Sequence, residues 1–401
     1  MTEAGVPSRS LTIPRTVWAL GLVSLFMDVS SEIIHALLPL FLTVTLGASV
    51  VMVGVIDGVA EATAAVSKVF SGYISDRMGR RKPLILLGYG LAALSKPLFP
   101  LASSVGLVLA ARFADRIGKG LRGAPRDALI ADVTPAAIRG RAFGLRQAMD
   151  TVGAFAGPLL AIGLMILFSN NIRHVFWVAL LPAALAVFCV VIGVEDRPGR
   201  DAADRPRPPV TLGDLRRMPP AFWKVTAVGV VFTLARFSEA FLILRATGAG
   251  LPLALAPLVL VVMNLVYSVG AYPAGALSDS RSARELLLWG IGLLIAADAV
   301  LAMASGIGAI SLGIALWGAH MAMTQGLLSK LVADTAPAGA RGSAFGLFNL
   351  ALGGAMLLAS LLAGILWAAF GPAATFVAGG AFGAAAFLLV LLARPVDSPG
   401  A

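Results

Sequence analysis

Charged residues are scarce in this 401-residue chain. Asp, Glu, Lys and Arg make up 13% of it, whereas hydrophobic residues make up 58%. A soluble domain is about one-quarter charged, so this chain has too little charge to cover a water-facing surface. Its apolar runs are long rather than short and alternating, which favours helices over a membrane barrel. The composition therefore predicts an all-α membrane protein and excludes an ordinary soluble enzyme.

Cysteine and histidine are also rare, with one Cys and three His residues. Cys189 lies within an apolar run, so disulfides play no part. No HExxH pattern, Cys/His cluster or nucleophile elbow occurs, and Gly88-x-Gly90-x-x-Ala93 lies inside an apolar span rather than after a strand. The sequence therefore predicts no metal site, no cofactor and no catalytic residue.

The apolar runs are numerous enough for a polytopic bundle. A span needs about 20 helical residues. We predict twelve spans, at residues 16–44, 51–75, 84–104, 106–130, 141–168, 174–194, 221–245, 252–278, 285–304, 309–333, 342–369 and 372–393.

The net charge of +10 is distributed between the predicted spans in alternate loops. Arg77, Arg80, Arg81 and Lys82 lie in one such loop, and the loops on the opposite side hold few cations. Cationic loops stay in the cytoplasm, so we expect an inner-membrane protein with both termini cytoplasmic. This distribution argues against nucleic acid as a partner. The apolar stretch after the polar N-terminus is too long for a signal sequence, so we interpret it as an uncleaved first span.

The sequence repeats itself. Residues 131–145 match residues 333–347 at ten of fifteen positions without gaps, and residues 72–84 recur in weaker form at 275–287. The two separations are nearly equal, which indicates a duplicated six-span unit. We predict one bundle at 1–194, a polar cytoplasmic linker at 195–220 and a second bundle at 221–401.

The loop after the second span has the pattern Gly72-x-x-x-Asp76-Arg77-x-Gly79-Arg80-Arg81. It resembles the signature loop of the major facilitator superfamily, and Asp279 occupies the corresponding place in the second half. The resemblance covers essentially the whole chain. It implies twelve helices in two pseudo-symmetric bundles, a gating role for this loop, and a protein that works as a monomer.

Two further patterns resemble motifs of the same family. Arg116-x-x-x-Gly120-x-x-x-Ala124 is similar to a motif tied to proton coupling, although Lys119 replaces the common glutamine. Gly153-x-x-x-Gly157-Pro158 is similar to the motif of antiporters, without the glycine pair that usually follows. It is equally explained by tight helix packing. Strings in the first span and after the fourth resemble a bacterial permease group with members implicated in metal resistance or chelate movement.

Ionisable residues inside the spans point to a polar passage. Each charge at the bilayer centre costs about 3 kcal/mol, so these residues must face one another or a wet cavity. The candidates for substrate and proton coupling are Asp28, Glu32, Arg112, Asp115, Arg116, Arg236 and Glu239. Possible polar residues of the cavity are His35, Asn264, Tyr267, His320 and Gln325.

Several alternatives stay open for these charges. A static network of ion pairs explains the first group as well, and Arg236 and Glu239 are spaced for a local pair within one helix. For Asp57 and Glu61, a role in gating or in hydrogen bonding between helices is favoured over contact with the substrate. His35 and His320 could bind a metal with Asp28 and Glu32, although a polar packing role suits them better.

We expect a secondary transporter that exports a small solute in exchange for protons. The alternatives are proton-driven uptake of a solute or metal chelate, a membrane-embedded enzyme acting on lipid, and a receptor built on the same fold. The substrate is not identified by the sequence.

Overall fold

A computed structural model describes residues 12–78, 80–135, 138–196, 216, 218–324, 327–337 and 341–392. Every regular element in these ranges is a helix. We number the helices α1 to α12 in chain order, and a helix that is interrupted keeps one number.

The first six helices are α1 (Arg15–His35, continued by Leu38–Leu40 and Phe41–Thr45), α2 (Val50–Met78), α3 (Lys82–Ser95 and Leu98–Leu101), α4 (Val105–Val133), α5 (Arg139–Leu167) and α6 (Ile172–Val178 and Leu180–Gly193). The second six are α7 (Pro220–Leu234 and Ala240–Gly248), α8 (Leu258–Ser280, preceded by the turn Leu253–Leu255), α9 (Ala283–Met303), α10 (Ile307–Thr324 and Leu327–Thr335), α11 (Arg341–Phe370) and α12 (Pro372–Leu392).

Ten of these helical stretches are long and apolar enough to cross a membrane. The other two are α4, whose sequence is rich in charged residues, and α7, whose first part is only 15 residues long. The ten are consistent with the twelve predicted spans. The count falls short of twelve because α4 is rich in charged residues and α7 is apolar but interrupted after Leu234.

The two halves pack in the same pattern. In the first half, α1 packs on α5 and α6, α4 packs on α2 and α3, and α3 packs on α6. Each of these contacts recurs among helices α7 to α12 when six is added to both helix numbers. The most extensive contacts between the halves are α2 with α11 and α5 with α8, which are also related by the same shift, and the second part of α7 additionally contacts α1 and α2. The chain therefore forms two pseudo-symmetric six-helix bundles. The exact limits of the predicted domains stay a prediction, and residues 197–215 of the predicted linker lie outside the described residues.

Among the described residues, the apolar packing that joins the halves lies toward one end. We call the end with the Arg-rich loop after α2 the basic end, and the other the opposite end. A single apolar cluster contains members of both halves; those from the first half lie within 29–56, 99–111 and 161–179, toward the opposite end, whereas in the second half the cluster also extends to Leu286 and Val390 at the basic end.

At the basic end, each half has an apolar cluster of its own. One cluster runs from Val17 to Val194, and the other contains Phe222, Val332 and Phe348. Among the described residues, neither cluster includes a member of the other half. The seam between the bundles is therefore closed at the opposite end and lacks apolar closure at the basic end.

Candidate functional site

Three predicted residues, Asp28, Glu32 and His35, lie along one face of α1. All three are partly exposed. The Nδ1 atom of His35 lies 3.3 Å from Oε2 of Glu32. The i, i+4, i+7 spacing aligns them because α1 is a regular helix through this stretch.

Two glycines on α5 bring that helix close to the acidic face of α1. A Cβ atom added to Gly153 would lie 3.0 Å from the Cβ of Asp28, and one added to Gly157 would lie 2.6 Å from the Cβ of Glu32. Pro158 follows within the same helix. Glycine at 153 and 157 therefore sets the distance between α5 and the two carboxylate residues of α1.

Asp150 lies on α5 three residues before Gly153, so it shares the side of that helix that faces Asp28 across the α1–α5 contact. Asp150 lies 3.6 Å from Arg146 and 3.9 Å from Arg126. Asp150 thus has two arginine partners, whereas Asp28 forms no ion pair among the described residues.

The second cluster lies between α2 and α4. Arg112 lies 3.5 Å from Asp57, and Arg116 lies 3.1 Å from Glu61. The side chains of Arg112 and Arg116 are 2% and 5% exposed, whereas that of Glu61 is 46% exposed. Each arginine is therefore paired with an α2 carboxylate in this conformation, and Glu61 presents that cluster to the open seam.

Asp115 on α4 belongs to a buried ion pair that the sequence analysis missed. The Nζ atom of Lys96 lies 2.8 Å from Oδ1 of Asp115 and donates a 3.0 Å hydrogen bond to Ser31 on α1. The Lys96 side chain is 1% exposed. A lysine inside an apolar run, directly before Pro97, was the available signal. Asp115 is consequently a structural partner in this conformation and does not reach the seam.

The seventh helix differs from the prediction of one continuous span at 221–245. It ends at Leu234 and resumes at Ala240, and the break contains Arg236, Ser238 and Glu239. The predicted local pair between Arg236 and Glu239 is wrong, because the i, i+3 geometry is lost with the helix. Neither side chain forms an ion pair or a hydrogen bond within the described part of the chain.

The break has a local cause and a tertiary one. It contains no Pro or Gly. Instead, the hydroxyl of Ser238 accepts a 3.1 Å hydrogen bond from the backbone N–H of Ala240, which replaces a helical backbone bond. The same hydroxyl donates a 2.6 Å hydrogen bond to Oδ2 of Asp57 on α2. This bond crosses the seam between the two halves.

The remaining candidates for polar residues of the cavity form few side-chain hydrogen bonds among the described residues. Asn264 and Tyr267 on α8 are half-buried and form no side-chain hydrogen bond among the described residues. His320 on α10 is 0% exposed, so it does not line the open seam as predicted. Gln325 lies outside the described residues. Asp298 on α9 is also fully buried, and neither of its carboxylate oxygens has a hydrogen-bond partner among the described residues.

The predicted gating loop lies at the basic end. Arg81 donates hydrogen bonds to Ser75 and to Asp196 at the start of the predicted linker, and it lies 3.4 Å from Asp132. A Cβ atom at Gly72 would make only ordinary contact, at 3.5 Å from Ala124. Arg77 and Arg80 are exposed, Gly79 lies outside the described residues, and the side chains of Asp76 and Asp279 are not described.

The site as a whole places both signs of charge in one open seam. Glu61 and Lys119 are exposed, and Arg236 and Glu239 are partly exposed. Within the described ranges, no three His, Cys, Asp or Glu side chains come together in a way that could hold a metal ion. The arrangement can bind a polar solute between the halves, and it leaves the Asp28 carboxyl group without an ion-pair partner among the described residues.

Comparison with known proteins agrees with this architecture. A profile of the Major Facilitator Superfamily matches residues 20–353 and 246–401. An MFS-type transporter of Methanocaldococcus jannaschii is 31% identical over 392 residues, which cover 94% of this chain and 95% of the relative. A multidrug resistance protein, MdtH, of Photorhabdus laumondii is 30% identical over 133 residues, 33% of each chain.

Solved structures share the fold at low sequence identity. A POT family transporter crystallised with 5-aminolevulinic acid superposes with a TM-score of 0.78 at 14% identity, covering 94% of this chain and 95% of the other. The chain thus combines a broken α7, two similar halves joined by α2–α11 and α5–α8, and a charged seam. Both its sequence and its fold match the same group of proteins. The chain is a membrane transporter that belongs to the Major Facilitator Superfamily.

Proposed function

We propose that this transporter exports a small solute in exchange for protons, by alternating access between its two halves. The packing of the halves supports this mechanism, because the seam is joined by apolar contacts only toward the opposite end. Rocking of the bundles about the α2–α11 and α5–α8 contacts would close the basic end and open the other. The conformation described here corresponds to the state open at the basic end.

The observation that carries proton coupling is the unequal pairing of two neighbouring carboxyl groups: Asp150 has Arg126 and Arg146 as partners, whereas Asp28 has no ion-pair partner among the described residues. A carboxyl group without a cationic partner inside a membrane protein is favoured in its protonated form, so Asp28 is the residue proposed to carry the proton. Asp28 is partly exposed, so its proton can exchange with the seam. A solute that entered beside Asp28 would change this electrostatic balance and release the proton on the side facing the basic end.

Export is favoured over uptake by two likenesses. The Gly153, Gly157 and Pro158 pattern resembles that of antiporters, and the MdtH relative is described as a multidrug resistance protein. In this scheme Glu32 and His35 extend the polar face that Asp28 begins. Arg112, Asp115 and Arg116 hold α4 against its neighbours while Glu61 faces the solute.

We further propose that the basic end faces the cytoplasm, in the cytoplasmic membrane, with both termini on that side. The support is the concentration of arginines in the loops of that end. The protein would act as a monomer, since each chain contains both halves of the seam. Its partners would be lipid, protons and a small solute.

Transport into proteoliposomes containing a pH-sensitive dye tests the proposal. We expect solute and protons to move in opposite directions. Asp28→Asn should abolish proton movement while leaving solute exchange, because the amide cannot carry the proton. Glu32→Gln should weaken coupling less.

The matched control is Glu285→Gln, which neutralises a carboxylate with a 51% exposed side chain at the start of α9, away from Asp28. This variant should retain coupled transport. Movement of solute and protons in the same direction would refute antiport, and full coupling in Asp28→Asn would refute the proposed role of Asp28 as the proton carrier.

A further inference from the structure

The break in α7 carries two opposite charges that do not neutralise each other. Arg236 and Glu239 lie three residues apart, yet no ion pair of 4.0 Å or less joins them. Both side chains are partly exposed. The Nε atom of Arg236 is buried without a hydrogen-bond partner, whereas its terminal nitrogens and the Glu239 oxygens are not among the buried unpaired atoms. The charged tips of both residues therefore reach open space.

The surroundings of the two charges differ in sign. The carboxylate of Glu239 is within electrostatic reach of Glu32 and Glu61, as well as His35, across the seam. Arg236 packs its guanidinium group 5.6 Å from the centre of the Phe232 ring, and among the described residues Glu239 is the only carboxylate close enough to act on it. One side of the break thus favours a cation, and the other favours an anion.

Closure of the basic end would remove water from both groups. An unpaired charge inside a membrane protein costs several kcal/mol, so each group needs a partner in the closed state. The two buried arginines between α2 and α4, Arg112 and Arg116, already have carboxylate partners. Arg236 has none in the described structure, and a planar guanidinium group suits a carboxylate or phosphate oxygen pair.

We propose that the α7 break is the solute-binding site, and that it takes a zwitterion whose anionic group binds Arg236 and whose cationic group binds Glu239. This proposal rests on the proposed transport function and names its substrate class. A purely anionic solute would leave Glu239 without a partner, and a purely cationic solute would leave Arg236 without one. A zwitterion neutralises both at once and adds no net charge to the closed seam.

Thermal unfolding of the purified full chain in detergent tests this directly. The probes are matched triplets built on amino acids and dipeptides: the zwitterion, its N-acetylated anion and its methyl-ester cation. We expect only the zwitterions to raise the melting temperature, because a ligand that binds the folded state stabilises it. Arg236→Gln and Glu239→Gln should each weaken zwitterion binding by about tenfold or more.

Two control variants change charge elsewhere. Lys224→Gln removes an exposed cation from the first part of α7, and Glu285→Gln removes an exposed carboxylate at the start of α9. Both should bind the zwitterions as the parent chain does. Arg236→Lys keeps the charge without the planar pair of donors and should bind with intermediate affinity, which guards against a folding defect in Arg236→Gln.

Three results would overturn the proposal. The first is a rise in melting temperature with the N-acetylated or esterified compound that is as large as the rise with the zwitterion. Such a rise would mean that Glu239 is neutralised by a proton or that Arg236 needs no partner. The second is zwitterion binding that neither substitution weakens. The third is the absence of a shift with every zwitterion. Because binding is measured without a gradient, transport of another class of solute would still support proton exchange while refuting this site.

Discussion

The hydroxyl of Ser238 donates a 2.6 Å hydrogen bond to the carboxylate of Asp57, and this bond ties the broken α7 of the second half to α2 of the first. Asp57 is buried and also lies 3.5 Å from Arg112. A polar link of this kind has two discrete states, made or broken. It therefore helps to fix the conformation in which the opposite end is closed.

Replacement of Ser238 by alanine should shift the protein toward the state open at the opposite end. A hydrogen bond to a charged group is worth about 1.5–3 kcal/mol, so the population ratio should change by roughly tenfold or more. Spin labels at Met78→Cys and Arg281→Cys, in a Cys189→Ala background, would report the distance between the halves at the basic end. That distance should shorten.

Thr226→Ala is the matched control for this change. Thr226 lies on the same helix, but its hydroxyl bonds to the carbonyl of Phe222 one turn earlier, within the same half. Its removal should leave the distance distribution unchanged. An unchanged distribution in Ser238→Ala as well would show that the link does not influence the equilibrium.

Alanine at Gly153 or Gly157 should separate α5 from α1 and destabilise the protein. The added Cβ atoms would lie 2.7 Å from the Leu25 carbonyl oxygen and 2.6 Å from the Glu32 Cβ. Overpacking of this kind costs about 1–3 kcal/mol. We expect a lower melting temperature and weaker proton coupling, since the position of Asp28 opposite α5 depends on the same contact.

Gly163→Ala provides the comparison within α5. A Cβ atom at that position has no atom within 4 Å to meet. Alanine also has a higher helix propensity than glycine, so this variant should be as stable as the parent or slightly more so. Equal melting temperatures for the 153 and 163 variants would contradict the packing argument.

Removal of one partner from the Lys96–Asp115 pair should be more damaging than removal of both. Lys96→Met or Asp115→Leu alone leaves a buried charge without a partner, at a cost of about 3–5 kcal/mol. The double variant should recover most of that loss, because an apolar pair fills the same space without desolvation. Melting temperatures of the three variants complete the thermodynamic cycle.

Lys68→Met serves as a reference in the same measurement, because Lys68 is exposed on α2. Its melting temperature should remain close to that of the parent. If the double variant were no more stable than the singles, the pair would have a further structural role that an apolar replacement cannot supply.

Valine at Gly54 should prevent closure of the opposite end. A Cβ atom there would overlap the backbone oxygen of Ser360 on α11. Since a backbone atom cannot rotate away, α2 and α11 must separate. We expect the spin-label distance at the basic end to shorten and transport to fall sharply. Gly90→Val, on an open face of α3, should change neither, and a normal distance distribution in Gly54→Val would show that the contact is not a fulcrum.

Much of the fold could be predicted because it follows from solvation and repetition. Spans of about 20 apolar residues must be helices in a bilayer, and the repeat of residues 131–145 at 333–347 places six in each half. The helical face of Asp28, Glu32 and His35 was also predictable, since α1 is regular there. The break in α7 was not, because residues 235–239 contain no Pro or Gly to mark it.

The pairing of the charges could not be predicted from the sequence, for a related reason. Spacing along one helix predicts only local partners, such as Arg236 with Glu239. Local pairs do form between Glu32 and His35 and between Arg146 and Asp150. The partners of the most buried charges lie on other helices, as with Lys96 and Asp115 or Arg116 and Glu61. Side chains in a bundle choose partners by the distance between helices, and that distance is set by glycines such as Gly153 whose neighbours are known only after folding.

The sequence by itself determined that the chain lies in a bilayer, that it has two halves and that charge is present inside the bundle, because composition and repetition are properties of the chain alone. Only the tertiary structure decided which charges neutralise one another and which remain open. Burial and distance between helices, rather than residue type, separate the paired Arg116 from the unpaired Arg236. It also decided that the seam is closed by apolar packing at one end, since such contacts exist only between helices far apart in the chain.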